Sequence, residues 1–321
     1  MRTRSVLVSA ELRTLLSEDD LRGLAPTWIE PTEPVPSGDF EAFVPLLRRT
    51  VTADDMARLP KTRIIANCAV GYENIDLAAA AGRGIPVTNT PGVLTDATAD
   101  LTMGLIISVA RGMYPSEAFL RTGAWKGWHP AEFLGLELTG ATLGIVGAGR
   151  IGQAVAKRAV AFGLKIVYHA RNPVPAFETA IGASRIGLDV LLSTSDIVSV
   201  HIPSTKETRG MFNATRFATM KRGAFFVNTS RGDIVDDDAL IGALESGHLG
   251  GAGLDVFKGE PSINPKLFRA PRLTMLPHIA SATTKTRRAM AALALSNVRA
   301  VLDGKAPLTP VPLPLENTGR R

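Results

Sequence analysis

Three observations predict an α/β chain with two parallel sheets, the second built from an insertion within the first. Strand-like apolar runs alternate with helix-period runs through most of the 321 residues, the pattern of parallel strands joined by crossover helices. A glycine-rich turn, Gly147-Ala-Gly149-Arg-Ile-Gly152, follows a strand-like run and opens a fresh alternating unit midway along the chain. Two long apolar segments of helical period, at about 97–113 and 284–302, flank that unit. The length suffices for two domains with separate cores. The predicted division gives residues 1–102 and 285–321 to one domain and residues 103–284 to the other.

The elements follow in order. Ser5-Val-Leu-Val-Ser9 reads as the first strand. Ser17 and Thr52, each followed by acidic residues, read as helix N-caps. Residues 63–67 read as a buried strand, 75–81 as a helix, and 86–89 as a short strand before the Pro91-Gly92 turn. After the 97–113 helix comes an irregular stretch, Gly123-Ala-Trp125-Lys-Gly-Trp128-His-Pro130. The strands of the second unit are predicted at 141–146, 165–169, 196–201, 224–228, 253–256 and 273–276. The helix at 284–302 returns the chain to the first domain, and a Pro-rich segment at 307–314 closes it. The two long helices are expected to cross between the domains, with the active site in the cleft.

Composition narrows the function. A 45% hydrophobic content with 30 glycines suits a compact α/β protein with many strand–helix turns. The single cysteine, Cys68, lies in an apolar run and reads as a small core residue; no intrachain disulfide can form. The formal charge of +6 is scattered rather than gathered into a patch, which argues against a nucleic-acid partner. It suits solubility and attraction for anionic ligands. The N-terminus lacks the apolar stretch of a signal peptide, and the apolar run at 103–110 is too short to span a bilayer. A soluble cytoplasmic protein with no membrane partner and no metal is expected.

The glycine pattern gains meaning from its strand–turn–helix setting. Gly147 makes the tight turn, Gly149 lets a pyrophosphate approach the backbone, and Gly152 permits close helix–strand packing at a helix N-terminus. Further on, Val167-Tyr-His-Ala170-Arg171-Asn172 has no carboxylate where an acid would bind the ribose 2′-hydroxyl of NAD. An arginine there suits the 2′-phosphate of NADP. The residues therefore favour NADP(H) over NAD(H), with Arg171 stacking on adenine or standing in solvent as the alternative.

Three short stretches carry the remaining polar chemistry: Asn228-Thr-Ser-Arg231-Gly232, Asp255-Val-Phe-Lys-Gly-Glu260-Pro and Pro277-His278-Ile-Ala-Ser281. A guanidinium fork suits a carboxylate and its adjacent carbonyl, and a histidine with a carboxylate partner suits proton donation. Taken singly, each has an ordinary reading: a surface arginine, a solvated loop glutamate, a satisfied core histidine.

Together with Val70-Gly71-Tyr-Glu-Asn-Ile-Asp76 and Asn89-Thr-Pro-Gly-Val-Leu-Thr-Asp-Ala-Thr98-Ala-Asp100, these motifs stand in an order that resembles the D-isomer-specific 2-hydroxyacid dehydrogenase family over nearly the whole chain. Within it the chain is similar to the glyoxylate/hydroxypyruvate reductases. The resemblance implies two Rossmann-like or flavodoxin-like domains, with the cofactor domain (103–284) inserted into the substrate-binding domain (1–102 and 285–321). It implies NADPH-dependent reduction of a small 2-oxo acid to the D-2-hydroxy acid. His278 would be the general acid, paired with Glu260, and Arg231 would bind and polarise the substrate. Val70 and Gly71 would offer backbone amides to the substrate carboxylate. Asp255 would contact the nicotinamide carboxamide, Arg150 and Ile151 the pyrophosphate, Thr98 the nicotinamide side, and Arg171 and Asn172 the 2′-phosphate. His201, Pro203, Thr229, Ser230, His278 and Ser281 would complete the cofactor site. The family is dimeric, so a homodimer is implied, with Trp128 reaching the substrate pocket of the partner subunit; Trp125 is expected to cover its own domain.

Two other readings share many of these features. One is a 3-phosphoglycerate dehydrogenase-like enzyme, which commonly carries an acid at the Ala170 position. The other is a nucleotide-sensing, corepressor-like binding protein that keeps the fold.

Overall fold

β1 (Arg4–Ser9) opens with Val6, Leu7 and Val8 completely buried, the continuous apolar run of a strand covered on both faces. The computed structural model describes residues 3–314; Met1, Arg2 and residues 315–321, which end the segment assigned above to the first domain, lie outside the described residues. Within them the chain forms two units, one up to Leu94 and from Ala282 onward, the other spanning Thr95–Ser281. The division falls at 94/95 and 281/282 rather than at the expected 102/103 and 284/285. The reason is that the helix Thr95–Ala110 packs along its whole length on strands of the second unit and on the helix Arg150–Ala161. Asp96 and Asp100 on the first helix hold Arg158 on the second, at 3.0 and 2.6 Å.

The first unit adds β2 (Leu24–Ile29), β3 (Ala42–Val44), β4 (Ile65–Ala66) and β5 (Val87–Thr88) to β1. All pairings are parallel and the order is β2-β1-β3-β4-β5, the flavodoxin-like arrangement. β2 was not expected, because Pro26 lies inside it. An edge strand tolerates proline, whose missing N–H faces away from the ladder. Ser17 and Thr52 both form capping boxes, on helices of only 4 and 5 residues. Asp76 caps the helix Leu77–Gly82, and Thr283 caps the helix Thr284–Leu302.

The loop after β4 is held by asparagine side chains. Asn67 and Asn74 are buried and bond each other at 3.2 and 3.3 Å. Asn67 also donates to the Gly71 carbonyl at 2.7 Å, and Asn74 donates to the carbonyls of Leu46 and Arg49 at 3.2 and 2.9 Å. Asn89 donates to the Val70 carbonyl at 2.7 Å.

The second unit has seven parallel strands: β6 (Thr142–Val146), β7 (Lys165–His169), β8 (Ser184–Arg185), β9 (Ile197–Val200), β10 (Phe225–Asn228), β11 (Gly251–Leu254) and β12 (Leu273–Met275). Their order is β12-β11-β10-β9-β6-β7-β8. The chain runs outward from β6 on one side through β7 and β8, and on the other from β9 to β12. That reversal is the topological switch point at which open α/β sheets bind ligands, beyond the strand carboxyl ends. β11 starts two residues before the predicted 253–256, because its glycines admit a helix. A Cβ on Gly253 would lie 2.6 Å from Leu105 Cγ. Behind the sheet, Phe212, Phe217 and Phe226 form a buried aromatic cluster with ring centroids 4.9–6.1 Å apart.

The helix predicted over 97–113 ends at Ala110. Gly112 takes a left-handed φ of 58°, and a separate helix, Met113–Arg121, follows with Pro115 in its first turn. Residues 123–130 form no helix or strand, as expected. Among the described residues no helix is long and apolar enough to cross a membrane.

Asn74→Ala removes the amide that bridges three segments of the first unit and leaves buried carbonyls unpaired. A loss of about 1–3 kcal/mol in unfolding free energy is expected, measured by urea denaturation. A change below about 0.5 kcal/mol, the range of an ordinary surface substitution, would contradict this account of the loop.

Candidate active site

The glycine turn is shaped by what surrounds it. Gly147 has φ of 103°, and a Cβ there would lie 2.5 Å from the His201 carbonyl oxygen. A Cβ on Gly152 would lie 2.1 Å from the Gly147 carbonyl oxygen. Neither position admits a side chain. Gly149 differs: a Cβ would meet nothing within 4 Å. The residue is exposed and serves as N-cap of the 12-residue helix Arg150–Ala161 without any side-chain cap. The helix's first amides therefore face open space over a bare backbone, which fits a pyrophosphate. Gln153, which the sequence reading passed over, braces the turn by donating to the Ala148 carbonyl at 2.8 Å. Arg150 is exposed and Ile151 half-buried on the same turn.

The Gly147 amide donates to the His169 carbonyl at 2.9 Å, tying the turn to the end of β7. Ala170, Arg171 and Asn172 follow directly, the last two exposed, with no carboxylate among them. On the other side the His201 amide donates to the Val146 carbonyl at 2.7 Å. His201 Nε2 lies 2.9 Å from Ser199 Oγ, and burial pushes the imidazole down to about 3. It stays neutral at physiological pH and so does not serve as the imidazolium acid. Pro203 accepts a hydrogen bond from Thr208 at 2.7 Å and shapes the loop that follows.

Arg231, Glu260 and His278 follow the carboxyl ends of β10, β11 and β12. After β10, buried Asn228 knots the chain. Its Nδ2 donates to the Arg231 carbonyl at 2.8 Å, and its Oδ1 accepts from the Ser230 amide and hydroxyl at 2.9 and 2.8 Å. Thr229 bonds Thr102 at 2.8 Å, and Thr102 in turn donates to the carbonyl of buried Thr98 at 2.7 Å. Arg231 Nη1 donates to the Ser230 carbonyl at 2.6 Å. Gly232 sets the approach of the next loop: a Cβ there would lie 1.9 Å from the Phe257 carbonyl carbon. The Arg231 backbone and the loop carrying Glu260 thus meet with no room for a methyl group.

Glu260 accepts from the Phe257 amide at 2.6 Å through Oε1, and lies 2.7 Å from His278 Nδ1 through Oε2. Burial alone would raise its carboxyl. The hydrogen bonds from His278 and Phe257, with the charges of His278 and Arg231, outweigh this and hold it below the usual carboxylate range. Ionised Glu260 accepts at Nδ1, so that atom carries the proton of the bond and Nε2 is the imidazole atom left to act on a ligand. The two side chains retain 31% and 37% of their surface.

His278 adopts φ of 54°, a left-handed conformation that costs a non-glycine residue about 1–3 kcal/mol. Asp255 holds it there. Its two oxygens accept from the amides of Ile279 and Ala280, at 2.7 and 2.8 Å. Asp255 is fully buried, and burial pushes its carboxyl up against the pull of those bonds. The resemblance gives Asp255 a contact with the nicotinamide carboxamide; in the structure each of its oxygens accepts one amide of the histidine turn and keeps a second lone pair for such a donor. Half-buried Ser281 ends the same turn.

In the first unit, Val70 and Gly71 sit in the asparagine-pinned loop after β4. Their carbonyls accept from Asn89 and Asn67, while their amides have no partner among the described residues. Two adjacent unpaired amides in a loop held from behind suit a carboxylate. Cys68 beside them is buried, and burial pushes its thiol up to about 12, which makes it inert.

Trp128 stands 82% exposed and Trp125 50% exposed. Half of the Trp125 surface is thus covered within its own chain, whereas Trp128 is almost wholly open. Met113, Tyr114, Leu120 and Leu134 are exposed on the neighbouring segments, and Phe133 pairs with Phe119 at 5.3 Å.

A family model for the D-isomer specific 2-hydroxyacid dehydrogenase, NAD binding domain, matches residues 103–280, over half of the chain. This chain belongs to the D-isomer specific 2-hydroxyacid dehydrogenase family. The glyoxylate reductase of Thermococcus litoralis is 48% identical to it over 291 residues, covering 87% of this chain and 88% of that protein. A solved structure of a Thermus thermophilus protein superposes with a TM-score of 0.86 at 43% identity, covering 96% of this chain and 100% of that one. An NADPH-dependent glyoxylate/hydroxypyruvate reductase from Sinorhizobium meliloti, solved with NADP and malonate, gives a TM-score of 0.84 at 34% identity, covering 96% and 97%. The two parallel sheets are those expected of this dehydrogenase family.

Gly232→Ala forces one of the two touching loops to move. A destabilisation of about 1–3 kcal/mol is expected, with turnover falling in the same variant because Arg231 and Glu260 are displaced together. Chemical denaturation and steady-state kinetics check this. A variant with wild-type stability and turnover would show that the contact does not position the site.

Proposed function

We propose that this dehydrogenase reduces a small 2-oxo acid, such as glyoxylate or hydroxypyruvate, to the D-2-hydroxy acid with NADPH. The observation that carries the reading is the Glu260–His278 pair at 2.7 Å, with Nε2 left to act and Arg231 close enough for its charge to bear on Glu260. The similarity to glyoxylate reductases supports the substrate class.

When bound, a reduced nicotinamide dinucleotide supplies the hydride. Gly147, Gly149 and Gly152, with the first turn of the helix Arg150–Ala161, would hold its pyrophosphate; Arg171 and Asn172 would hold the 2′-phosphate. Thr98, His201, Pro203, Thr229, Ser230 and Ser281 would line the rest. In this reading the substrate carboxylate takes the amides of Val70 and Gly71, and Arg231 binds and polarises the carbonyl. His278 Nε2 gives its proton to the carbonyl oxygen as the carbonyl carbon accepts the hydride, and the imidazole becomes neutral. Glu260 favours the charged imidazolium before transfer. The cofactor domain is the second unit and the substrate domain the first. The exposed apolar residues of the Met113–Arg121 helix and the following loop are read as a homodimer surface, with Trp128 offered to the partner's substrate. The reading keeps the cytoplasmic location expected from the sequence.

Turnover of a panel of 2-oxo acids with NADPH tests the reading, using His278→Ala as control. His278→Ala is expected to lose about a hundred- to ten-thousandfold in turnover while still binding nucleotide. Glu260→Gln bears on pH. Because Glu260 is held below the usual carboxylate range, it stays ionised wherever imidazole titrates, and its part in stability is lost only as pH falls through that lowered value. Without the anion, imidazolium is less favoured, so reduction should begin to fall at lower pH than in wild type. An unchanged pH–rate profile would count against the pair.

For the cofactor, Ala170→Asp with Arg171→Ala restores an acid and removes a cation. Relative efficiency should shift toward NADH by roughly tenfold or more, the worth of one charge-assisted contact. A wild-type enzyme that prefers NADH in steady-state kinetics would sink the NADPH assignment.

A further inference from the structure

We infer that Arg185, on the edge strand β8, is a second determinant of 2′-phosphate selectivity: it fixes the Ala170–Arg171 turn and presents a second guanidinium edge to the same phosphate. The inference rests on the NADP(H) reading above.

The geometry begins with register. Arg185 pairs with Tyr168 across β7 and β8, so its side chain starts two residues short of the turn at Ala170. It reaches along the sheet edge and donates to two successive carbonyls, from Nε to Ala170 at 3.0 Å and from Nη2 to Arg171 at 2.9 Å. Those atoms form one edge of the guanidinium fork. The opposite edge, Nη1 with the rest of Nη2, keeps its N–H donors on an exposed side chain. A planar fork with one edge anchored on backbone is already oriented, so less side-chain freedom is lost when the other edge meets a phosphate.

Charge points the same way. Arg171 has a carboxylate nearby: Glu207, in the loop after β9, is held below the usual range first by Thr205 and to a lesser degree by the Arg171 charge. Arg185 makes no ion pair among the described residues. A 2′-phosphate at the end of β7 would meet both guanidinium groups, each with a carboxylate in its neighbourhood: Glu207 for Arg171, and for Arg185 the Glu178 that bonds the Tyr168 hydroxyl. The clamp also limits how far the Arg171 backbone can swing, so Arg185 positions Arg171 as well as adding to it.

The test compares dissociation constants for NADPH and NADH, by nucleotide fluorescence titration, in wild type, Arg185→Met and Arg185→Lys. The Met variant should reduce the NADPH-over-NADH preference by tenfold or more. The Lys variant, which keeps the charge but not the two-edged fork, should recover part of it. A Met variant with the wild-type preference overturns the inference, as does one that loses both nucleotides equally, since that is the mark of a purely structural brace. A wild-type protein with no preference for NADPH overturns the NADP(H) reading itself, and this inference with it.

Discussion

The bond from Asp255 to the Ile279 and Ala280 amides is the interaction on which the site depends. It holds a histidine in a left-handed backbone conformation that a side chain adopts only at a cost, and it does so from a fully buried position at the end of β11. Burial is expensive for a carboxylate, and only partners such as these two amides make it tolerable. Asp255 is itself tied to the neighbouring strand, its amide donating to the Asn228 carbonyl at 3.0 Å. The histidine turn is thereby referenced to the same strand end that presents Arg231. Buried polar side chains, Asp255 and Asn228, fix the main chain of the two loops, and the side chains of Arg231 and His278 are left to do chemistry.

The same economy appears elsewhere. Asn228 closes the Arg231 turn, Gln153 braces the glycine turn, and Asn67, Asn74 and Asn89 pin the loop of Val70 and Gly71. Each is an amide side chain that substitutes for a ladder partner where the strand has ended, so irregular backbone stays fixed without regular structure. Glycine performs the converse task. At Gly152 and Gly232 it lets two stretches of backbone come closer than any side chain allows, and at Gly149 it leaves space that nothing in the protein fills.

Much of this was legible in the sequence. Alternating runs gave the parallel sheets, and β7 occupies the range predicted from its apolar pattern, as does the helix Thr284–Leu302. β2 was hidden because Pro26 argues against a strand unless the strand is known to lie at an edge, which is a property of the sheet and not of the segment. The break at Gly112 was hidden because apolar period continues across it. Arg231, Glu260 and His278 were legible only in combination, since each has an ordinary reading alone. The anchoring use of Asp255 was not legible, because it depends on which loop lies over the end of β11. Arg185 was not legible either: it acts on a turn fourteen residues earlier, through a register that only the sheet reveals.

Hydrogen exchange at the Ile279 and Ala280 amides, followed in the nucleotide-free protein, tests the central claim most directly. If Asp255 holds the histidine turn in place before any ligand arrives, both amides exchange slowly, with protection comparable to the amides of β11 beside them. Exchange as fast as that of the exposed loop at 123–130 would show that the turn is open in the free protein, and would contradict a preset His278.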